Sequence, residues 1–447
     1  MKVPRRISAF VLALAGVFLP PPLCAQRTEE PFAEESAAAL DARARRAEKW
    51  ARFWSSLYNY WVYTPDTRGR NGPARAFEVG ASFQAGLAWD LYLGFFDIFK
   101  KNAELHIDFN RVLDNFSLTK PEGLNINLAA RWEFLRMDFR RIKEKPLGVS
   151  VLTMDARLDA NFSKDFFSFF AQGNMQNHNI TPSLTVSGAL FAELVSFEWT
   201  RRIFEHYTLT LRPAWYLPLV YIPKSAQKLS IQADSTFSAW LTGGVDVYIP
   251  FSFTDGFVVT TLGGLDASLC LERPVFNILD AGLEISHIPL MPSVLSNRGR
   301  IGMEGKILDL GSGVLEGFTV KIPELEQFYS VRNFWVFRPV EIGVYALYRP
   351  LGNDGWTVRP SLGVAFLNPG EEVFFNLGIE TIFSPASFFQ FSLFTGMVDK
   401  IAQNRAGFRF NWRRFGFYLN VDMRSQDYLR SWSMKGAGLS LGWVAGH

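Results

Sequence analysis

The chain has little of what catalysts and metal proteins are built from. Two cysteines occur in 447 residues, Cys24 and Cys270, and the first lies in the N-terminal leader. Once that leader is removed, Cys270 stands alone, which excludes an intramolecular disulfide and a Cys-rich metal site. The five histidines, His106, His178, His206, His287 and His447, share no i, i+4 spacing and none neighbours a cysteine, so no ligand motif for a metal is present. A Gly-x-Ser-x-Gly elbow is missing, and Gly311-Ser312-Gly313 lacks its spacing. With no nucleophile placed beside a base, neither an enzyme nor a cofactor is expected. Outside the N-terminus no run of about 18 apolar residues exists, so spanning helices are not expected either. Strong charge of one sign is also lacking. The formal +3 equals the contribution of Lys2, Arg5 and Arg6, and without them the chain is neutral, leaving no basic footprint for nucleic acid.

Aromatic side chains, by contrast, are abundant. Phe, Trp and Tyr number 42, 13 and 13, or 15 % of the chain, at a mean hydropathy of only +0.04. Many half-buried surfaces would use such a load; one globular core would not. Basic Lys2, Arg5 and Arg6, apolar Ala9 to Leu19, a triple proline and Leu23-Cys24-Ala25 make residues 1–25 a secretory signal peptide, too short to span. Pro21, Pro22 and Leu23 before Cys24 match a lipidation motif poorly. Residues 26–36 read as a polar, flexible leader. Residues 37–62 read as an amphipathic helix, because Leu40, Ala44, Ala47, Ala51, Trp54, Tyr58 and Trp61 recur at helical steps. That helix could plug a lumen, lie on a membrane, extend into the periplasm or pack against the rest of the chain.

From Phe77 onward the period is two. Phe77, Val79, Ala81, Phe83, Ala85, Leu87 and Trp89 alternate with Glu78, Gly80, Ser82, Gln84, Gly86, Ala88 and Asp90. One face is apolar and the other polar or small, over a run longer than the ~5–6 residues of a soluble strand. The pattern returns at Leu124–Phe134, Leu152–Phe162, Tyr207–Leu211, Trp356–Phe366, Phe375–Ile379, Phe389–Leu393, Phe415–Met423 and Ala437–Trp443. Turn signals such as Asn353-Asp354-Gly355, Asn368-Pro369-Gly370 and Thr254-Asp255-Gly256 allow antiparallel hairpins. At about 24 residues per strand and turn, residues 75–447 give an all-β, transmembrane antiparallel barrel of ~14–16 strands. A soluble β-sandwich also alternates, so length, ring content and the export signal carry the membrane reading. Trp215, Tyr216, Tyr221, Trp335 and Trp432, with Tyr60 and Trp61, would suit an interfacial girdle.

The polar strand faces supply the candidate site. Glu78, Gln84, Asp90, His106, Asp108, Arg131, Glu133, Asp155, Arg157 and Asp159 would line one lumen, with Asn125, Asn127 and Asn161 beside them. Arg157 between Asp155 and Asp159 favours a salt-bridged wall over a cation site. Residues 75–447 resemble the large family of bacterial outer-membrane β-barrels. The Phe-rich strands and the dipeptides Arg338-Pro339 and Arg359-Pro360 resemble, more narrowly, uncharacterised spirochaete-type barrels. Fatty-acid transporter barrels are similar in length and carry an N-terminal plug, but their Asn-Pro-Ala hatch signature is absent. The terminal aromatic of many barrels is also absent, since the chain ends Trp443-Val444-Ala445-Gly446-His447. The resemblance implies an outer-membrane location, lipid and the barrel-assembly machinery as partners, and a channel for small solutes narrowed by the 37–62 helix. A closed structural or adhesive barrel with binding loops is the alternative, and Ile288–Arg298, with Pro289 and Pro292, reads as one such loop.

Overall fold

A computed structural model describes residues 77–89, 124–139, 147–172, 183–203, 207–228, 230–233, 239–252, 258–276, 278–309, 314–321, 329–351, 355–366, 373–386, 388–398, 401–412, 415–426 and 435–446. The signal peptide, the leader, the 37–62 helix, Asp90, His106 and Asp108 lie outside these residues.

The alternating runs form one closed, antiparallel barrel of 14 strands. In wall order these are β1 (Phe77–Trp89), β2 (Leu124–Phe139), β3 (Leu147–Phe162), β4 (Ser183–Ile203) and β5 (Tyr207–Lys228). The wall continues through β10 (Gly264–Phe276), β11 (Leu279–Met291), β15 (Val340–Tyr348), β16 (Trp356–Phe366) and β17 (Val373–Ala386). It ends with β18 (Phe389–Val398), β19 (Ile401–Trp412), β20 (Phe415–Ser425) and β21 (Gly436–Gly446). Closure comes from β1, which pairs with β2 through Glu78↔Asp138 and with β21 through Glu78↔Gly446. A closed sheet leaves no edge unpaired, the condition for a β-structure in lipid.

All of β1's partners run antiparallel, so the connections fall alternately at two ends. One end carries short turns, such as the step from β4 to β5 and that from β10 to β11. The other carries long connections. Between β3 and β4 lies α1 (Lys164–Gln172), whose start is capped by the Ser163 hydroxyl accepting from the Phe166 amide at 3.3 Å. Between β5 and β10 lie β6 (Ser230–Ala233), β7 (Ala239–Ile249), β8 (Phe251–Ser252) and β9 (Val258–Val259). Between β11 and β15 lie β12 (Ser293–Asp309), β13 (Val314–Lys321) and β14 (Tyr329–Val336). β12 pairs with β7 on one side and with β13 and β14 on the other, while β7 meets the top of β5 at Tyr221↔Tyr248. These strands carry the wall beyond the barrel above β10 and β11.

Ile288–Arg298 is therefore not a loop. Residues 288–291 finish β11 and residues 293–298 begin β12, with Pro292 the one break between them. A proline cannot donate to a ladder, and at Pro292 the chain changes partners, from β10 and β15 before it to β14 and β7 after it.

A second departure from simple alternation crosses the tall side of the barrel. Glu133↔Thr153↔Glu193 and Leu135↔Val151↔Val195 are paired rows, and Phe134, Leu152 and Leu194 lie between them. The flanking strands lack the extra residue, as the register breaks at Gly80/Ser82 and at Glu193/Val195 record. Leu152 has φ 55°, in the left-handed region, at a cost of about 1–3 kcal/mol for a residue with a Cβ. Beyond this row the alternation changes phase, and Ser150, Ser196 and Arg136 turn to the same side as Glu133.

Candidate functional site

The two faces of the wall are inverted relative to a soluble protein. On β17, Phe375, Leu377 and Ile379 are 59, 55 and 50 % exposed on the outside. Their neighbours Asn376 and Glu380 are 7 and 2 % exposed on the inside. The same division holds for exposed Trp132 against buried Arg131 on β2, and for exposed Phe408 against buried Arg409 on β19. In water such an arrangement would leave apolar surface hydrated while burying charge, both unfavourable. Lipid outside would make the first favourable, and ion pairing inside would offset the second.

Tyr216 and Tyr221 do not join an outer girdle. Both point inward, 1 and 6 % exposed, whereas Trp215 and Trp335 are on the outside. The inward Tyr216 ring fits because Gly264 faces it on β10, where a Cβ would overlap the ring. Tyr345 uses Gly282 and Tyr418 uses Gly442 in the same way.

Buried ion pairs tie the inner faces together. Glu193 on β4 accepts from Arg212 on β5 at 2.7 Å and from Arg338 at 2.5 Å. Arg338 also donates two bonds to Asp266 on β10, at 2.6 and 2.7 Å, and its guanidinium lies 5.1 Å from the Tyr216 ring centroid. Paired bonds of this kind fix the guanidinium in one plane. Arg338 lies between β14 and β15, so one side chain fastens the end of the long β11–β15 connection to two wall strands. The Tyr216 hydroxyl adds a bond to the Val336 carbonyl at 3.1 Å. Above it, Phe191, Tyr216, Tyr221, Leu295 and Val336 form an apolar cluster, flanked by Tyr248 and Phe334. The end of the connection is thus packed against, and tied to, inward side chains of β4, β5 and β10.

A further contact narrows the bore. The Arg157 guanidinium on β3 lies 5.0 Å from the Phe374 ring centroid on β17, seven strands away around a wall of 14. A round barrel of that strand number would be about 28 Å across, given a ~4.8 Å strand spacing and a ~40° tilt. An extended arginine, a phenylalanine and the gap between them reach only about 16 Å by standard bond lengths. The bore is therefore flattened at this level, toward the long-connection end.

Of the residues read from the sequence, Gln84, Arg131, Glu133, Asp155, Arg157 and Asp159 lie on inward faces. Arg131 pairs with Asp155 at 3.6 Å, Arg157 with Asp159 at 2.5 Å, and Glu133 accepts from Ser150 at 2.6 Å. Asn127 bonds Asp159 and Gln426. Glu78 sits in β1 opposite Asp138 and Gly446. Sequence reasoning missed Glu193, Arg212, Asp266 and Arg338: a bulge interrupts the alternation beside Glu193, and Arg338 lies between strands, where no alternation marks it. It noticed Arg338-Pro339 only as a dipeptide. A buried arginine just before a strand is a usable signal only when its distant acids are known.

No family model matches the chain, and no curated protein matches it. Among solved structures, it is similar to the Ralstonia pickettii toluene transporter TbuX at 9 % identity and a TM-score of 0.45, covering 87 % of this chain and 100 % of that one. For the P. putida toluene transporter TodX the values are 9 %, 0.42, 85 % and 91 %. For the translocator domain of autotransporter NalP from Neisseria meningitidis they are 11 %, 0.32, 93 % and 99 %.

Proposed function

We propose that this chain is a channel of the bacterial outer membrane that passes small solutes through a polar bore, with the β11–β15 connection and the Arg157–Phe374 contact holding the bore narrow. The inverted wall carries the reading: apolar side chains outside on the long strands, charged and hydrogen-bonding side chains inside. A pore needs a hydrated interior, and a polar wall is what remains stable when water enters. Lipid and the assembly machinery of the outer membrane are the partners this location implies, and the narrower likeness to spirochaete-type barrels rests on the Phe-rich strands and the Arg-Pro dipeptides alone. Gln84, Arg131, Glu133, Asp155, Arg157 and Asp159 would shape the field that a solute meets.

The buried pairs of Arg338 and the contact across the bore favour a second reading, a barrel closed for structural or adhesive use. Conductance separates the two. Reconstituted in a planar lipid bilayer, a channel gives stepwise currents, and Arg338→Ala raises their size or open time. A closed scaffold inserts and stays silent in both forms. A chain that stays soluble without detergent and never enters lipid overturns both.

A further inference from the structure

The wall strand that β7 and β10 share is interrupted. The ladder of β7 ends at Ile249↔Asn297, that of β10 begins at Gly264↔Tyr216, and residues 250–263 leave the sheet between them. They leave on the outer face, where the Trp215 indole donates to the Leu262 carbonyl at 2.7 Å. There β8 and β9 pair through Phe251↔Val259 and Ser252↔Val258. Gly263, at φ 80°, returns the chain to the wall at a point where a Cβ would strike the Tyr216 carbonyl and the Trp215 indole nitrogen. Val258, Val259 and Leu262 are 53, 47 and 83 % exposed. Beside them runs an outward row, Trp215↔Leu265↔Met291, that is exposed as well. At the base of the excursion the backbone is satisfied within the protein. The Pro250 carbonyl accepts from the Thr260 amide at 2.7 Å and from its hydroxyl at 2.9 Å, and the Phe251 carbonyl accepts from the Asn297 side chain at 2.7 Å.

We propose that the β8–β9 hairpin is a membrane-contact element, resting in the interfacial layer of the bilayer with Val258, Val259 and Leu262 turned to the lipid chains. The inference rests on the outer-membrane reading above. Three large apolar side chains on so small a hairpin are unfavourable in water, and the lipid face of the wall continues into them through Trp215 and Leu265. The hydrocarbon core excludes irregular backbone, so the hairpin belongs at its boundary. A Trp ring whose N–H already has an acceptor suits that layer. Carbonyls that have found donors inside the protein lose little where water becomes scarce. Such a contact fixes how deep the β5–β11 side of the barrel sits.

Fluorescence quenching tests this in the full chain reconstituted in phosphatidylcholine vesicles, with Cys24→Ser in place and the buried Cys270 kept. A thiol-reactive fluorophore on Leu262→Cys is compared with one on Leu377→Cys, on the outer face of β17. Phosphatidylcholine carrying a nitroxide just below its headgroup should quench the hairpin label more than aqueous iodide does, and lipid nitroxide should quench the Leu377→Cys label. If Leu262→Cys does not assemble, Val259→Cys takes the same label away from the Trp215 bond. A hairpin label quenched by iodide alone, with the β17 label quenched by lipid, puts the hairpin in water. That overturns the inference and leaves the outer-membrane reading standing. A hairpin label that neither quencher reaches is covered by protein, a second copy of this chain included, and overturns it likewise. Both labels quenched by iodide alone overturns the membrane reading and the inference with it.

Discussion

The half of the barrel from β15 to β21 and the half from β2 to β11 are built from the same alternation and differ in how faithfully they keep it. In the first, strands are 9 to 14 residues long, and among its ladders the register shifts only between Phe383 and Ala386, beside a turn. In the second, β4 and β5 reach 21 and 22 residues and carry three register shifts between them. There too are the left-handed residues Leu152 and His287 and the strap made by Arg338. Ion pairs in the regular half join side chains of adjacent strands or of one strand, as in Arg359–Glu380 and Arg424–Asp422. In the irregular half Arg338 joins β4 to β10, two strands that are not neighbours. Regularity serves the wall, and the deviations serve what is held inside it.

The comparison can be broken most severely at Arg338. Arg338→Ala leaves Glu193 and Asp266 without the charge shared between them, a loss of about 3–5 kcal/mol for a buried pair. The folded fraction in a denaturant titration in detergent should fall accordingly, and conductance should rise. Arg359→Ala, in the regular half, should destabilise without raising conductance, because its partner Glu380 is on the neighbouring strand. Equal conductance changes from both variants would show that the two halves do not differ in the way described.

Next in size is a charge on the outer face. Leu377→Arg, near the middle of β17, should cost about 2–4 kcal/mol if that face meets the bilayer midplane. A folding titration into lipid vesicles measures it, and no cost would mean that this face is in water.

The glycine seats come third. Gly282→Ala places a Cβ inside the Tyr345 ring, and overpacking of this kind costs about 1–3 kcal/mol. Tyr345→Ser in the same chain should recover most of the loss in folded yield. Failure of that rescue would mean that Gly282 matters for a reason other than the ring.

The smallest effect is expected at Leu152. Leu152→Gly removes the left-handed penalty and also an apolar side chain, so the net change should stay within about 1 kcal/mol. Leu377→Gly, in a regular strand with nothing to relieve, should destabilise by more. Equal losses would argue that the inserted row across β2, β3 and β4 carries no strain.

The period of two determines much of this protein locally, strand by strand. Leu124 to Phe134, Trp356 to Phe366 and Ala437 to Trp443 keep apolar and polar side chains on opposite faces whatever they pair with, so the barrel class and the division into two unlike faces were legible from local pattern. Turn chemistry and length bounded the strand number, and 14 lies within that bound. Local pattern cannot say where a residue has been inserted, because Phe134, Leu152 and Leu194 are as apolar as the face they interrupt. Nor can it say that strand pairing resumes with new partners just past Pro292, or that Tyr216 turns inward onto Gly264. Those outcomes depend on the neighbouring strand. Arg338 reaching Glu193, 145 residues away, and Arg157 meeting Phe374 depend on closure of the whole sheet. A side chain's face is set by its own strand's geometry, but its partner is set by which strands the barrel brings opposite one another. Only the tertiary structure decides that.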